Sequence, residues 1–307
     1  MNTESPLISI ITINFNNAKV TCEFLESTRY LTYRNFEIIV LDNASKENPT
    51  PIIKQNYPDV NLIINTTNLG FTGGNNIGIE AAKGDYLFIV NNDTEVTPNL
   101  LEKLLSPFAK DHSIGVVSPK IKYFSEPNII QYAGFTPINP LTGRNNSIGD
   151  REPDKGQYDT PSYTAYAHGA AMFLKREVIE KVGVFADIFF LYYEELDWSA
   201  RIQNAGYRIY YEPNAVIYHK ESLSVGKNST LKTYYLTRNR ILFMRRNMRG
   251  FSRLVWPLFF VVFSIPKNSI MFLLEGKINH LKAFWSALIW NIKHRKNGDS
   301  YSVVAKL

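Results

Sequence analysis

Short apolar runs that end in polar residues recur through the first third of the chain. They cover residues 7–15, 36–41, 60–65 and 84–93, and residues 86–90 are five apolar positions in a row. Five positions are too few for a helix of normal length, and the lack of polar alternation favours a strand covered on both faces. Helices are predicted between the runs, so the pattern indicates an α/β fold with a mostly parallel sheet.

Polar side chains follow three of these predicted strands, namely Asn14, Asp42 and the group Asn91, Asn92 and Asp93. In open α/β sheets a ligand binds outside the carboxyl ends of the strands, so these side chains are expected at one binding edge. For residues 91–93 there is an alternative interpretation as a turn and helix cap, because a proline follows near the first helical turn.

A glycine-rich segment, residues 70–78, precedes a predicted helix that ends near Ala82. The segment lacks the Gly-Lys-Ser/Thr ending of a phosphate loop and the Gly-x-Gly-x-x-Gly spacing of a dinucleotide-binding turn. Two interpretations remain: a backbone that approaches a diphosphate closely, or a flexible turn between strand and helix.

The middle of the chain, residues 120–166, is less regular. Pro, Gly and Asn are frequent at residues 139–159, which predicts a long surface excursion or lid. Apolar positions return at residues 163–174, where His168 interrupts them. A single histidine in such a place is more often a turn or core residue than a metal ligand.

A second polar cluster, Glu194, Glu195 and Asp197, follows an apolar run and opens a predicted helix that Gly206 ends. Asp197 has a structural interpretation, because Arg201 lies four residues later on the same helix face. Glu194 and Glu195 lie at the junction itself, where neighbouring charges are expected to raise the pKa of at least one of them toward that of a usable base.

The 307 residues are 45% hydrophobic, which is enough for a large core. The single cysteine, Cys22, excludes an internal disulfide and a multi-cysteine zinc site. The first six residues contain neither a basic region nor an apolar run, so no signal peptide is predicted.

Charge is distributed unevenly along the chain. Through Val225 there are 19 basic and 26 acidic residues, and after it 15 basic and 2 acidic ones. This asymmetry indicates a basic tail for an anionic surface. Because the tail also contains long apolar segments, a membrane is favoured over nucleic acid as that surface.

Within the tail, residues 255–265 are nearly all apolar, but Pro257 and Pro266 are expected to prevent a clean span of roughly 20 residues. This segment is predicted to be interfacial or re-entrant. Apolar residues then recur at helical spacing near basic ones, which predicts an amphipathic helix; packing onto the rest of the chain or a second subunit is the alternative. The apolar positions are Ile278, Leu281, Trp285, Leu288 and Ile292, and the basic ones are Lys282, Lys293, Arg295 and Lys296.

Five motifs in residues 7–224 resemble, in order and spacing, those of family 2 glycosyltransferases with the GT-A fold, and most of all bacterial rhamnosyltransferase-like members. They are Asp42-Asn-Ala-Ser, Asn68-Leu-Gly-Phe-Thr-Gly-Gly-Asn-Asn, Val90-Asn-Asn-Asp-Thr, Tyr193-Glu-Glu-Leu-Asp and the late His219. The resemblance and the basic, apolar tail together predict two regions. They are a GT-A domain at residues 1–245 and a membrane-associating helical region at residues 246–307.

The resemblance implies a divalent cation, Mg²⁺ or Mn²⁺, held by Asp93 and His219, and a catalytic base at Glu195 with Glu194 and Asp197 beside it. It also implies a nucleotide-sugar pocket, formed by Thr12, Asn14, Asp42, Asn68, Gly73, Gly74, Asn75, Asn91 and Asn92.

Two residues depart from the family pattern. Asn91 stands where the Asp-x-Asp motif has its first acid, and Glu195 stands where the usual Glu-Asp pair has Asp. The Gln-x-x-Arg-Trp motif of processive synthases is missing, so one sugar per binding event is expected.

The implied function is inverting, metal-dependent transfer of one sugar, with rhamnose as a candidate, from a UDP- or dTDP-sugar to a glycan or lipid-linked glycan. The enzyme is expected to be cytoplasmic and peripheral on the cytoplasmic face of an anionic membrane, with a homo-oligomer as an option and no nucleic-acid partner. Two alternatives remain open. A sugar-phosphate nucleotidyltransferase needs a glycine-rich loop with a basic residue near the N-terminus, which residues 7–19 do not offer. A non-catalytic membrane scaffold would not hydrolyse a nucleotide-sugar.

Overall fold

The computed structural model describes residues 5–220 and 229–294, and within them the strands form a single sheet. The strands are β1 (Ile8–Asn14), β2 (Phe36–Asp42), β3 (Asn61–Ile64), β4 (Tyr86–Val90), β5 (Thr94–Val96), β6 (Ile114–Tyr123), β7 (Ile130–Tyr132), β8 (Ser162–Tyr163), β9 (Ala171–Lys175) and β10 (Arg208–His219). Their order is β3-β2-β1-β4-β9-β6-β10-β5, with β7 beside β6 and β8 beside β10.

Nine helices accompany the sheet in the same described ranges. They are α1 (Ala18–Thr28), α2 (Thr50–Asn56), α3 (Gly70–Ala81), α4 (Leu100–Lys110), α5 (Arg176–Val182), α6 (Glu194–Asn204), α7 (Thr230–Asn247), α8 (Ser252–Leu274) and α9 (Ile278–Lys293). In α8 the stretch Phe260–Ser264 is wound as a π-helix.

The first four strands by position, β3-β2-β1-β4, run parallel, as the alternation of strands and helices predicts. Asn14 and Asp42 are register partners at the carboxyl ends of β1 and β2, so the predicted binding edge exists. Antiparallel β9 joins β4 to β6, which in turn runs parallel to β10. The α/β class and the buried character of β4 are confirmed, because Leu87 to Val90 are all buried.

The glycine-rich segment is helical from Gly70, so its interpretation as a flexible turn is wrong, whereas the close approach of its backbone to a diphosphate stays a prediction. A Cβ at Gly74 would lie 2.8 Å from Ile13 Cδ1, and one at Gly78 would lie 2.4 Å from Ile11 Cγ2. These glycines therefore let α3 pack tightly on β1, and this burial outweighs their low helix propensity.

Part of the stretch expected to be irregular belongs to the core. The end of β6 and the whole of β7 fall inside residues 120–166, and nearly every residue of both strands is buried. The surface excursion is the long segment between β7 and β8. Lys120 of β6 links it to the sheet through ion pairs with Asp154 (3.3 Å) and Asp159.

Helix α8 continues through Pro257 and Pro266, so the expectation that these prolines interrupt it is wrong. The widened π-helical turn lies between the two prolines, and such local adjustments accommodate missing N–H groups. The helix has 23 residues with a hydropathy of 1.6 and is long and apolar enough to cross a membrane by length and composition.

The C-terminal helices lie along α7. α9 runs in the same direction as α7, since Thr233 Oγ1 near the start of α7 is 2.8 Å from His280 Nδ1 near the start of α9, and Arg245 Nη1 near the end of α7 donates to Asn291 O at 3.0 Å. The predicted amphipathic helix exists, but of its apolar stripe only Leu288 is buried. The boundary predicted at residue 245 falls inside α7, and the basic positions Arg295 and Lys296 lie outside the described residues.

Candidate active site

A cleft of ≈ 460 Å³ opens at the carboxyl edge of the parallel strands. Its lining includes the turn after β4 and the start of α6 with the loop before it. Eight of the predicted site residues line this cleft: Asn68, Asn75, Asn91, Asn92, Asp93, Glu194, Glu195 and His219. The structure thus brings the two polar clusters, about a hundred residues apart in sequence, to one site.

Asp93 and His219 are in direct contact, because β10 ends beside the turn after β4. His219 Nε2 lies 3.1 Å from Asp93 Oδ1, and His219 Nδ1 lies 2.9 Å from Gln131 Oε1. A carbonyl oxygen only accepts, so Nδ1 carries the proton and Nε2 is directed at Asp93 and the cleft. Asn91 Nδ2 lies 3.5 Å from the same Nε2.

This pair fits a divalent cation. A carboxylate oxygen and an imidazole nitrogen are suitable ligands for Mn²⁺, and Gln131 supplies the outer hydrogen bond that fixes the tautomer of a ligating histidine. In the part of the chain that the structure describes, no group of three or more His, Cys, Asp or Glu side chains is positioned to hold a metal ion. Two protein ligands leave coordination positions for phosphate oxygens and water.

Asp42 and Asn14 lie behind the cleft wall in a buried hydrogen-bond network. Asn14 Nδ2 donates to Asp42 Oδ1 at 2.7 Å, and Thr21 Oγ1 donates to Asn14 Oδ1 at 2.7 Å. Asn92 Nδ2 donates to Thr21 Oγ1 at 2.8 Å, which connects Asp42 to the lining of the cleft. The remaining predicted residue on β1, Thr12, is buried with no partner for its hydroxyl oxygen.

Gly73 and Gly74 are not among the residues that line the cleft, so their role in donor binding stays a prediction. Gly74 faces the sheet, and a Cβ at Gly73 would lie 2.7 Å from Leu69 Cβ within its own helix. Asn43, which the sequence analysis missed, lines the cleft instead. Its amide nitrogen donates to Asn68 Oδ1 at 3.0 Å and so orients a predicted residue.

Glu194 and Glu195 line the same cleft as Asp93. Burial raises the pKa of Glu195 to about 7, and hydrogen bonds from backbone N–H groups at the helix start act in the opposite direction. Burial first, and the charge of Glu195 second, raise the pKa of Glu194 well above its usual range. Charge crowding was expected to be the main cause, but desolvation is larger. Burial thus favours the protonated form of both carboxyl groups, and Glu195, with a pKa of about 7, can accept a proton near neutral pH.

Asp197 faces away from the cleft, so its placement beside the catalytic base is wrong. Its Oδ2 accepts from Arg201 Nε at 3.0 Å, as the i,i+4 spacing predicts. Its Oδ1 accepts from Arg246 Nε at 3.0 Å and from Asn247 Nδ2 at 2.9 Å. Fully buried and paired on both oxygens, Asp197 joins α6 to the end of α7.

The loop before α6 is held in an unusual backbone conformation. Phe190, Tyr192 and Tyr193 have φ angles of 63°, 69° and 71°, a region that bulky side chains rarely adopt and that costs about 1–3 kcal/mol per residue. Asn239 of α7 offsets this cost. Its Nδ2 lies 2.8 Å from Phe189 O and 2.7 Å from Leu191 O and from Tyr192 O.

Arg238, the neighbour of Asn239, holds the start of the same loop. Its Nη2 donates to Ile188 O at 2.7 Å and to Phe189 O at 2.6 Å. Its guanidinium lies 4.6 Å from the ring centroids of both Tyr235 and Trp290. Helices α7 and α9 thus hold the loop that presents Glu194 and Glu195, and no local motif in the sequence indicated this.

His168 is a turn residue, as its isolated position in the sequence suggested. Its Nδ1 accepts from Ala170 N at 3.1 Å, and its ring stacks on Phe135 with centroids 5.6 Å apart. Burial first, and the charge of His219 second, lower the pKa of His168 to about 3. His168 is therefore neutral, and the Gly169 that follows it packs against the side chain of Glu195.

Gln131 was missed because it lies in the stretch expected to be irregular. The signal that would have found it is the apolar triplet Ile129, Ile130 and Tyr132 around a single amide, which is a short buried strand rather than a loop.

Comparison with protein families decides the class of the molecule. The model of the family described as Glycosyl transferase family 2 matches residues 9–183, more than half of the chain. This chain belongs to glycosyl transferase family 2. The nucleotidyltransferase and the non-catalytic scaffold are thereby set aside in favour of a glycosyltransferase.

Two relatives indicate the range of the family. N-acetylglucosaminyl-diphospho-decaprenol L-rhamnosyltransferase of Mycobacterium tuberculosis is 23% identical over 243 residues, which are 72% of this chain and 78% of that protein. Low-salt glycan biosynthesis hexosyltransferase Agl10 of Haloferax volcanii is 25% identical over 213 residues, which are 67% of this chain and 66% of that protein.

Solved structures confirm the GT-A fold. The mannosyltransferase PcManGT from Pyrobaculum calidifontis, in complex with GDP-Man and Mn²⁺, superposes with a TM-score of 0.58 at 18% identity, covering 95% of this chain and 76% of its own. TarS residues 1–349 of S. aureus, in complex with UDP-GlcNAc, gives a TM-score of 0.58 at 17% identity, covering 91% of this chain and 80% of its own.

Proposed function

We propose that this glycosyltransferase moves one sugar, with inversion, from a UDP- or dTDP-sugar to a hydroxyl of a lipid-linked glycan. The observation that carries the proposal is that the contacting pair Asp93 and His219 lines the same cleft as Glu194 and Glu195. A nucleoside diphosphate-sugar needs a cation at its phosphates, and inversion needs a base on the opposite face of the sugar. Rhamnose is the proposed sugar, in line with the name of the Mycobacterium relative.

In this mechanism Asp93 and His219 would hold a divalent cation, which would supply positive charge for the departing diphosphate. Glu195 accepts the proton of the acceptor hydroxyl as the hydroxyl oxygen attacks the sugar carbon and the bond from that carbon to the diphosphate breaks. Asn239 holds the loop that fixes Glu194 and Glu195 in place. Asn68, Asn75, Asn91 and Asn92 supply amide groups for the hydroxyl and phosphate oxygens of the donor.

The direct test is hydrolysis of a panel of nucleotide-sugars by the purified full chain, with and without a chelator. Slow release of nucleoside diphosphate from one donor, abolished by the chelator and restored by Mn²⁺ or Mg²⁺, is expected. Heat-denatured protein is the control. Release from none of the donors, or release that the chelator leaves unchanged, contradicts the proposal.

We also propose that the enzyme lies on the cytoplasmic face of an anionic membrane through α8 and the uncovered side of α9. Both ends of α8 are held against the protein body, because Trp256 and Phe272 pack in the same apolar cluster as α7. That placement supports a helix lying in the interface rather than crossing the bilayer. Its outward residues are strongly exposed, among them Leu254 (74%), Leu258 (67%) and Leu274 (84%).

The full-length protein is therefore expected to float with anionic vesicles at low salt and to detach partly at high salt. Exposed basic residues near α8 and α9 each contribute about 1 kcal/mol at such a surface, and salt screens them. They include Arg249, Arg253, Lys267, Lys277, Lys282 and Lys293.

The matched variants for flotation replace exposed leucines by a charge. Leu258→Glu removes about 1.5–3 kcal/mol of favourable free energy for transfer of the leucine side chain into the membrane. The affinity for vesicles should therefore fall at least about tenfold. Ile52→Glu, at a residue of α2 with 41% exposure, should float like the parent protein. A folded parent that stays unbound at low salt would instead make this surface an interface between protein subunits.

A further inference from the structure

A second cavity of ≈ 360 Å³ lies on the other side of the loop that carries Glu194. The surface excursion contributes Arg144 and Asn145 to its lining, and α7 contributes Arg240. Asn268 and Phe272 of α8 form the outer wall, and Tyr193 separates the cavity from the active-site cleft. The described lining contains no acidic side chain.

Arg240 is a buried cation in this cavity, with 5% of the residue exposed. Within residues 5–220 and 229–294 no carboxylate pairs with it, and its Nε has no hydrogen-bond partner there. The contact found for its guanidinium is the ring of Phe260, 5.0 Å from the centroid. Burial lowers its pKa to about 10, and the charge of nearby Arg144 acts in the same direction. Buried charges are normally paired, so this site favours an anion from outside the chain.

Asn145 gives a second, independent sign of a missing acceptor. Its Nδ2 is buried without a partner, although buried amide donors nearly always have one. Among the described residues no ion pair joins Arg144 or Arg240 to a carboxylate. The donors come from two separate parts of the chain, α7 and the excursion, and they converge on one space.

The position of the cavity, between the catalytic loop and the exposed apolar helix α8, indicates which kind of anion it binds. Tyr193 directly precedes Glu194, and its hydroxyl donates to Gly143 O at 3.2 Å, which joins the excursion to the catalytic loop. On the other side, Phe272 belongs to the helix whose neighbouring residues Leu273 and Leu274 are exposed and apolar. A ligand held here has its charged group inside the protein and an apolar surface beside it.

We propose that this cavity binds the phosphate or diphosphate group of a membrane lipid, with Arg240 and Arg144 as its cations and Asn145 as an additional donor. Guanidinium groups match phosphate oxygens in charge and in planar, two-point geometry. If the proposed function is correct, the lipid is the carrier of the acceptor glycan, and its phosphate is anchored one residue away from the catalytic pair. Only this identification of the lipid rests on the proposed function.

The test is vesicle flotation of the full chain in the presence of a chelator, which keeps phosphate groups away from metal in the cleft. Neutral phosphatidylcholine vesicles carry either a polyprenyl diphosphate or, at equal charge, phosphatidylglycerol. Arg144→Gln and Arg240→Gln are expected to lose affinity for the polyprenyl diphosphate vesicles by about 10- to 100-fold, the value of one charge-assisted hydrogen bond.

Arg253→Gln is the matched control, because it removes the same charge from an exposed position of α8 outside the cavity. Because Arg253 belongs to the general basic surface, this variant should weaken binding to both kinds of vesicle by the same small factor of about fivefold. The larger loss of polyprenyl diphosphate binding in Arg144→Gln and Arg240→Gln measures the cavity. If Arg240→Gln fails to fold, Arg144→Gln carries the test, since Arg144 is exposed at the surface of the excursion. Thermal melting of each variant establishes that it is folded.

Unchanged polyprenyl diphosphate binding in a folded Arg144→Gln variant would overturn the proposal. An equal loss with both anionic lipids would retain a lipid-phosphate site but end its link to the acceptor. Failure of the donor-hydrolysis test together with a positive flotation result would remove the proposed function and leave the lipid-phosphate site standing.

Discussion

Glu195→Gln is expected to lower the turnover of sugar transfer by about 10² to 10⁴, the usual contribution of a positioned general base. The substitution keeps the shape of the side chain and removes only the basic oxygen. Donor affinity should change little, so the loss should appear in turnover rather than in the Michaelis constant for the donor. Transfer rates with the matched acceptor measure the effect, and calorimetry of the donor measures affinity.

The same residue should set the pH dependence. Because burial raises the pKa of Glu195 to about 7, its basic form is lost as the pH falls through about 7. Turnover should therefore decline about tenfold per pH unit below that value, and the residual activity of Glu195→Gln should lack this acidic limb. The apparent pKa of this decline belongs to the coupled pair of carboxyl groups rather than to one isolated group.

Glu194→Gln is the matched control, since it changes the neighbouring carboxyl in the same way. In the proposed mechanism Glu195 accepts the proton, so Glu194→Gln should retain most of the turnover and keep the decline of activity near pH 7, because burial is the main cause of the raised pKa of Glu195. A severe loss in Glu194→Gln with a mild one in Glu195→Gln would move the base by one residue.

Asp197→Asn separates stability from chemistry. It leaves Arg201 and Arg246 with a neutral partner in a buried site, and breaking such a pair costs about 3–5 kcal/mol. The melting temperature should fall, while the pH dependence of the protein that remains folded stays as in the parent. Activity in all three variants would place the base elsewhere.

Asp93→Ala should abolish the metal dependence of donor binding. Calorimetric titration with the nucleoside diphosphate in Mn²⁺ is expected to show that the affinity falls by more than about 100-fold. Removing even a residue that hydrogen-bonds a metal ligand lowers metal affinity by about 10- to 100-fold, and Asp93 is itself a proposed ligand. Turnover should fall by about 10² to 10³, the cost of losing one electrostatic contact to a developing charge.

The fold should tolerate this change. The turn at Asp93 is held by its backbone, since Lys220 N donates to Asp93 O at 2.8 Å whatever the side chain. Gln131→Leu is the control with a smaller expected effect. It keeps Asp93 and His219 and removes only the hydrogen bond to His219 Nδ1, so donor affinity should fall less than in Asp93→Ala. Donor affinity in Asp93→Ala that equals the parent in Mn²⁺, or parent affinity that survives excess chelator, would rule out a metal at this site.

The sheet and the binding edge were set by local sequence patterns. Uninterrupted apolar runs such as 86–90 need burial on both faces, and parallel strands bring their carboxyl ends to the same edge. Asn14, Asp42 and Asp93 therefore arrive together, and the register of β1 with β2 confirms it. The i,i+4 pair of Asp197 and Arg201 was also readable, because both partners lie on one helix face.

The separation of Glu194 from Glu195 was decided only by the tertiary structure. Two adjacent carboxylates look alike in a sequence, and repulsion between them does not say which one keeps its proton. Their pKa values depend first on burial, which α7 and the surrounding loop determine. The left-handed residues before α6 likewise persist because Asn239, about fifty positions later, binds their carbonyl groups.

In two helices, packing between distant residues outweighed the local conformational preferences of glycine and proline. Glycines in residues 70–78 predict a turn by propensity, yet Gly74 and Gly78 are where α3 needs no side chain against β1. Prolines in α8 predict a break, yet a π-helical turn absorbs them while Trp256 and Phe260 pack onto α7. Composition and periodicity thus determined the fold class and the chemistry at the sheet edge. The roles of individual side chains followed from contacts between residues far apart in sequence, because burial and pairing in three dimensions set their charge.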